Sequence, residues 1–212
     1  MPSQPSHLHL VGVGRSDRLQ ELHDDPIGFF EVEHEWKLAL CDALELIADG
    51  LPHSTNGSLC RMAVSVLTTA LPRHAELEEQ LLFPMLRRSD SIGSECERVL
   101  VELEQEHASD EPFAHEIAEA LEELSQGGRP RNSEMLGYML RGFFVPLRRH
   151  VEWENVTILP LARRVLSVDD KSRLAARLVE DRQQADKIFA SISAALDEAR
   201  RIAAEESSQL TF

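Results

Sequence analysis

Two histidine–glutamate pairs stand at the same spacing in this sequence, His74 with Glu78 and His150 with Glu154. On a helix, residues four apart lie on one face about one turn apart, so each pair can reach a common point. Imidazole and carboxylate together suit borderline first-row metals, with carboxylates able to bridge two ions and imidazoles able to cap each one. Spacing alone decides little. With 9 histidines in 212 residues, chance supplies about one H-x-x-x-E, and the chain has four, the others being His107/Glu111 and His115/Glu119. Context separates them. LPRHAELEEQLLFPMLRR (71–88) aligns on its histidine with LRRHVEWENVTILPLARR (147–164), each with a proline ten residues after the histidine and then an Arg-Arg pair, at an offset of 76 residues. Upstream, Glu31-Val32-Glu33-His34 parallels Glu104-Gln105-Glu106-His107 at an offset of 73.

The chain therefore reads as two helical hairpins of one design. Each offers a lone histidine from its first helix and a histidine–glutamate pair from its second. A bundle of the two hairpins can bring His34, His74, Glu78, His107, His150 and Glu154 to one level of its core. Without metal, two buried carboxylates and four buried imidazoles cost several kcal/mol or shift their pKa values to stay neutral, and metal binding removes that penalty.

The elements that must hold these residues follow from periodicity and punctuation. Residues 1–24 are polar, carry Pro2, Pro5 and Gly14, and read as a flexible N-terminal tail. Asp24-Asp25-Pro26 reads as a helix start, and Ile27, Phe30, Leu38, Cys41, Leu44 and Ile47 recur at helical spacing up to Asp49-Gly50. The second helix is expected over about 59–88, with Pro72 and Pro84 giving a kink and an early end, and the third over about 92–124, interrupted by Pro112. The fourth covers about 133–164, with Pro146 and Pro160 in it or at its end. The fifth starts at Ser167-Val168-Asp169-Asp170 and runs to about 204. The fold class is all-α: an up-down-up-down four-helix bundle over residues 25–166, joined by short loops, with an additional C-terminal helical extension over 167–212. That extra helix has two roles open to it, covering a flank of the bundle or pairing with a second copy as a homodimer.

Composition narrows the function. Aromatic residues are 5%, and the chain is rich in the helix formers Ala, Leu, Glu and Arg. A formal net charge of -15 repels phosphate backbones and anionic lipid, so neither nucleic acid nor membrane is expected as a partner. The longest apolar runs fall short of the roughly 18 residues a membrane span needs, and no signal peptide is read at the N-terminus. Cys41, Cys60 and Cys96 are odd in number and widely spaced, which reads as reduced, inert thiols of a cytoplasmic protein.

The order His, H-x-x-x-E, His, H-x-x-x-E on four helices, with DPIGFFEVEHEWK in the first helix, H-x-x-x-E-x-x-L-L-F-P-x-L in the second and H-x-x-x-E-x-x-x-I-L-P-L in the fourth, resembles the hemerythrin-like family, also called the HHE cation-binding domain. The resemblance covers about residues 25–166. It implies two non-haem, carboxylate- or oxo-bridged iron ions, with zinc as a substitute, and small-molecule partners: dioxygen, peroxide or nitric oxide. By this resemblance His34, His74, His107 and His150 are terminal ligands and Glu78 and Glu154 are bridges. Two departures stand out. The oxygen carriers of the family place two histidines a turn apart in the third helix, where this chain has Glu111 and Pro112 after His107. They also place the last carboxylate as an aspartate five residues after its histidine, where this chain has Glu154 four after. One ion is then expected to have fewer nitrogen ligands or to take Glu111. Such a site favours turnover of peroxide or oxygen over reversible carriage, in a protein of oxidative or nitrosative stress. The other reading is a sensor or store of iron, oxygen or nitric oxide acting through a partner without turnover.

Remaining residues carry weaker expectations. Glu31 and Glu104, each three residues before the lone histidine of its hairpin, are either orienting partners of that imidazole or solvated glutamates. Glu111 is a ligand or orienting group, or a cap where Pro112 restarts the helix. Trp153, beside Glu154, reads as core packing, and Tyr138 is given no role.

Overall fold

The computed structural model describes residues 20, 22–89 and 92–209; those from 20 on that it describes are helices joined by short turns, and no strand occurs among them. The first helix, α1, is Gly28–Gly50. It starts after the expected Asp-Asp-Pro signal, and Asp25 accepts hydrogen bonds from the backbone N–H groups of Gly28 and Ile27 and from Arg163. The expected tail lies mostly outside the described residues, although Leu22, near its end, is buried in the core.

The second helix, α2 (residues 57–87), is one rod assembled from Gly57–Ser65, Val66–Ala70, Leu71–Leu77, Glu78–Leu82 and Phe83–Arg87. Val66–Ala70 and Glu78–Leu82 are π-helical turns. Each is followed by a residue and then a proline, Pro72 and Pro84. A proline has no N–H to give and its ring crowds the carbonyl four residues back. The wider i→i−5 bonds of a π turn, such as Phe83 N–H to Glu78 C=O, let the rod pass the ring without breaking. The expected early end at these prolines does not occur.

The third helix, α3, is Ser94–Ser125 and continues through Pro112, where an interruption is expected from sequence; a single missing hydrogen bond does not break 32 residues packed on both sides of it. Gly127, at φ +83°, turns the chain out of α3. At Gly128 a Cβ would lie 2.6 Å from the Glu123 carbonyl oxygen, so only glycine fits there. The fourth helix, α4 (residues 133–165), is capped by the Asn132 side chain, which accepts from Met135 N–H at 3.0 Å. It comprises Ser133–Trp153, a third π turn at Glu154–Ile158 ahead of Pro160, and Leu159–Val165. The fifth helix, α5, is Val168–Gln209, and Ser167 caps it by accepting from Asp170 N–H.

The helices α1 and α4, α2 and α3, α3 and α4, and α1 and α2 pack on one another, which closes the four-helix ring, and α5 lies along α1 and α2. Phe29, Phe30, Trp36, Leu40, Leu44, Leu67, Phe83 and Phe143 fill the interior. Each such side chain contributes roughly 1.5–3 kcal/mol by leaving water, and this apolar packing holds in place the polar groups at the middle of the bundle. No helix among the described residues is long and apolar enough to cross a membrane.

Candidate metal centre

The two hairpins deliver their marked side chains to one point. His74 and Glu78 lie on α2 and His150 and Glu154 on α4, and both glutamates open a π turn. His34 comes from α1 and His107 from α3. Five are buried and His107 is nearly so, at 10% side-chain exposure. The Nε2 atoms and carboxylate oxygens interleave: His74 to Glu78 Oε2 3.2 Å, His34 to Glu154 Oε2 3.3 Å, His150 to Glu154 Oε1 3.2 Å, His107 to Glu78 Oε2 3.5 Å and His34 to Glu78 Oε1 3.8 Å.

Two four-residue groups emerge that could each hold a metal ion, His34–His74–Glu78–Glu154 and Glu78–His107–His150–Glu154. They share both glutamates, and each takes its imidazoles from one hairpin. Within the protein, His34 Nε2, His74 Nε2, both oxygens of Glu78 and Glu154 Oε1 are buried without a hydrogen-bond partner. Buried polar atoms are ordinarily paired, and a cation between these lone pairs satisfies them together. The donor set therefore fits the metals that the sequence implies.

Residues 25–162 match the family profile of the hemerythrin HHE cation binding domain. The chain belongs to that family. No curated protein and no solved structure matches it. The HHE match and the pair of His/Glu groups agree on cation binding as the chemistry of this bundle.

Behind the HHE cluster lies a ring of partners that sequence reasoning missed. Each of the four cluster histidines donates its outer Nδ1–H to an acceptor: His74 to Glu33 at 2.8 Å, His150 to Glu106 at 2.7 Å, His107 to Glu79 at 2.9 Å and His34 to Asn155 at 2.6 Å. These bonds fix the tautomer, turn each Nε2 lone pair inward and raise its basicity. Lys37 is buried among them, its Nζ 3.4 Å from Glu154 Oε2.

Electrostatics follow from this geometry. Burial opposes a charge on His34, but the adjacent carboxylates of Glu154 and Glu78 outweigh it and raise its pKa to about 9. His150 is likewise raised to about 9, burial being overcome by Glu154 and Glu106. Burial raises Glu78, yet His74 and His34 bring it down to about 2; burial raises Glu154 too, but Lys37 and His150 hold it well below the usual carboxylate range. Burial lowers His107, whose Nε2 faces that of His150 at 3.2 Å. Two facing imidazole lone pairs repel unless a proton or a metal ion lies between them.

Three sequence expectations need correction. Glu31 does not orient an imidazole: both its oxygens pair with Arg163, at 2.6 and 2.9 Å. Glu104 does the same with Arg87, at 2.6 and 2.9 Å. A residue three before a histidine sits above it on the helix and points to the next helix's arginine, so both glutamates clamp one hairpin to the other. Glu111 belongs to neither four-residue group and is exposed, on the rim of a cavity beside the cluster. Each group has two imidazoles, one from each helix of its hairpin.

Proposed function

We propose that His34, His74, His107 and His150 cap, and Glu78 and Glu154 bridge, a pair of iron ions, and that this centre binds or consumes dioxygen, peroxide or nitric oxide in a protective role. The observation that carries the reading is the sharing of two buried carboxylates, with unpaired oxygens, between two His/His groups. One ion would leave one set of imidazoles unused; two use every donor. Iron supplies redox chemistry toward small oxygen and nitrogen species when bound.

The chain's own contribution is order and exclusion. Glu33, Glu79, Glu106 and Asn155 hold the imidazoles in one tautomer, and the apolar layers of the bundle keep bulk water from the carboxylates. A cavity of about 310 Å³ reaches His74, His107 and His150 and gives a small molecule a route to the His107/His150 side.

The test is metal analysis of protein purified in air, followed by absorption spectra before and after peroxide. Two irons per chain with gas release support turnover. Two irons with a spectral change and no turnover support sensing or storage. Zinc alone, or fewer than two ions per chain, overturns the di-iron reading.

A further inference from the structure

The outer faces of the two hairpins are related by the sequence repeat, and only one of them is covered. The fifth helix lies along α1 and α2, where Phe29, Trp36, Leu59, Met62 and Leu77 are buried. Among the described residues no helix lies over α3 and α4 in that way. The counterparts of Phe29 and Trp36, 73 residues on, are Glu102 and Ser109, both exposed. Those of Leu59, Met62 and Leu77, 76 residues on, are Met135, Tyr138 and Trp153. Met135 and Tyr138 are 57% and 75% exposed, and Val145 and Val156 follow at 57% and 66%. Four of the seven exposed large apolar residues in the described chain thus stand on α4. Their spacings of 3, 7 and 11 put them on one face of that helix. Apolar side chains gathered into one strip mark an interaction site, whereas singly scattered ones do not.

Charge decides which partner fits. On the covered hairpin Arg73 pairs with Glu76 and with Asp181 of α5, so the helix on top brings an acid. On the open hairpin the counterparts of Arg73 and Glu76 are Arg149 and Glu152. Arg149 turns instead to Glu106 of α3, at 3.1 Å. A cavity of about 470 Å³ opens there between α3 and α4, lined by Glu102, Glu106, Arg149, Glu152, Trp153 and Val156. Glu106 is held by His150 and Arg149. Among the described residues Glu102 and Glu152 have no cationic partner. The cavity therefore carries three carboxylates against one guanidinium, beside an indole and a valine. A lysine or arginine reaching into it meets two unpaired carboxylates and the ring of Trp153. A helix like α5 would bring an aspartate to the same place and be repelled, and a second copy of the chain, at a net charge of -15, is disfavoured for the same reason.

We propose that the face formed by α3 and α4 is a docking surface for a basic amphipathic helix of another protein. The apolar stripe of that helix lies on Met135, Tyr138, Val145 and Val156, as α5 lies on the first hairpin, and a lysine or arginine on its flank enters the cavity between Glu102 and Glu152. Docking here does not depend on the metal reading.

The probes are two synthetic helical peptides with the same leucines at i, i+3, i+4 and i+7, one flanked by lysines and the other by glutamates. Binding to the full chain is measured by calorimetry, and sedimentation gives the oligomeric state. The lysine peptide is expected to bind about tenfold more tightly than the glutamate peptide, or more. Y138S/V156S and E102Q/E152Q are each expected to weaken the lysine peptide about fivefold or more. E180Q/D197N removes two exposed acids from α5 and changes the net charge as E102Q/E152Q does; it is expected to stay within about twofold of wild type, which separates docking from general attraction to an acidic protein. All six substituted side chains are exposed, so the variants keep the fold, with circular dichroism as the check. Equal weakening by E180Q/D197N and E102Q/E152Q overturns the proposal. So do equal affinities for the two peptides, no binding of the lysine peptide, or an unchanged affinity in Y138S/V156S. A wild type that sediments as a dimer and becomes a monomer in Y138S/V156S overturns it too, because the occupant is then a second copy of this chain.

Discussion

The hairpin of α1 and α2 and the hairpin of α3 and α4 place the same ligands by the same device, yet they do not make equal surroundings. Glu33 serves His74 as Glu106 serves His150, and Glu31–Arg163 mirrors Glu104–Arg87. The symmetry fails at two places. Where Glu79 receives the His107 N–H, its counterpart at His34 is the neutral Asn155, and where Asp110 stands in the second hairpin, the first has Lys37. The neutral Asn155 leaves His34 without the carboxylate that His107 has in Glu79, and both histidines of the His107 half line the cavity against His74 alone of the other. A repeat fixes where ligands go, and small departures from it set how each position differs.

The glutamates give the largest test. E78Q and E154Q should each drop bound iron from two per chain toward none, since each carboxylate serves both groups. In the metal-free proteins they should differ. E154Q leaves Lys37 buried without its carboxylate, and removing one partner of a buried pair costs about 3–5 kcal/mol; E78Q strands no buried lysine. For a chain of this size that is a melting temperature roughly 6–20 °C lower for E154Q than for E78Q. Equal melting temperatures would show that Lys37 does not depend on Glu154, and the asymmetry would lose its main support.

Next in size is the pH dependence. In the metal-free protein His34 and His150 have pKa values raised from 6.5 to about 9. Their contribution is complete below about pH 6.5 and disappears as pH rises through 9. Glu78, lowered to about 2, contributes above about pH 4.5 and loses that contribution as pH falls through 2. Metal ions occupy the positions those imidazole protons hold, so protons and metal compete. The gap in melting temperature between loaded and metal-free protein should therefore widen by several degrees from pH 6.5 to 9. A constant gap would mean that His34 and His150 carry no proton in the metal-free protein.

The outer acceptors give a smaller and more selective effect. Losing such a partner typically costs 10–100-fold in metal affinity. E79Q should weaken one ion of the two, that of the His107 group, and N155E should tighten the other, bringing the halves closer together. Stepwise cobalt(II) titration followed by absorption reads both. If E79Q weakens both ions equally, the two positions are not separable in the way the hairpin assignment requires.

The six central residues were legible because the repeat marks them twice and because i, i+4 spacing on a helix is a strong geometric statement. The bundle was legible for the same reason, with glycine, proline and acidic caps marking its turns. Glu33, Glu79, Glu106, Asn155 and Lys37 were not. The first four stand one residue from a ligand, about 100° around the helix axis, so each reaches past its own helix to the outer nitrogen of a histidine on another. That relation exists only once helices are packed. A signal was available in the repeated Glu-His dipeptides at 33–34 and 106–107. Lys37 had none, since a lysine three residues after a histidine reads as a solvated one. The prolines misled in the opposite direction: Pro72, Pro84 and Pro160 follow π turns, which keep the rods continuous and carry Glu78 and Glu154 at their starts.

The clamps Glu31–Arg163 and Glu104–Arg87 give the smallest effect and the cleanest separation of roles. Both are two-pronged and partly solvent-exposed, and exposed ion pairs contribute about 0–1 kcal/mol. E31A and E104A should each lower the melting temperature by no more than about 4 °C and leave two irons per chain, with equal losses because the clamps are related by the repeat. Glu31 shares its arginine with Asp25, so Arg163 keeps a carboxylate in E31A, whereas in E104A Arg87 retains Glu97. Each arginine thus falls back on an equivalent acid, and the two variants should agree within a degree or two by thermal denaturation. Iron loss from either one, with the fold intact by circular dichroism, would return these glutamates to the imidazoles and remove them from the hairpin interface.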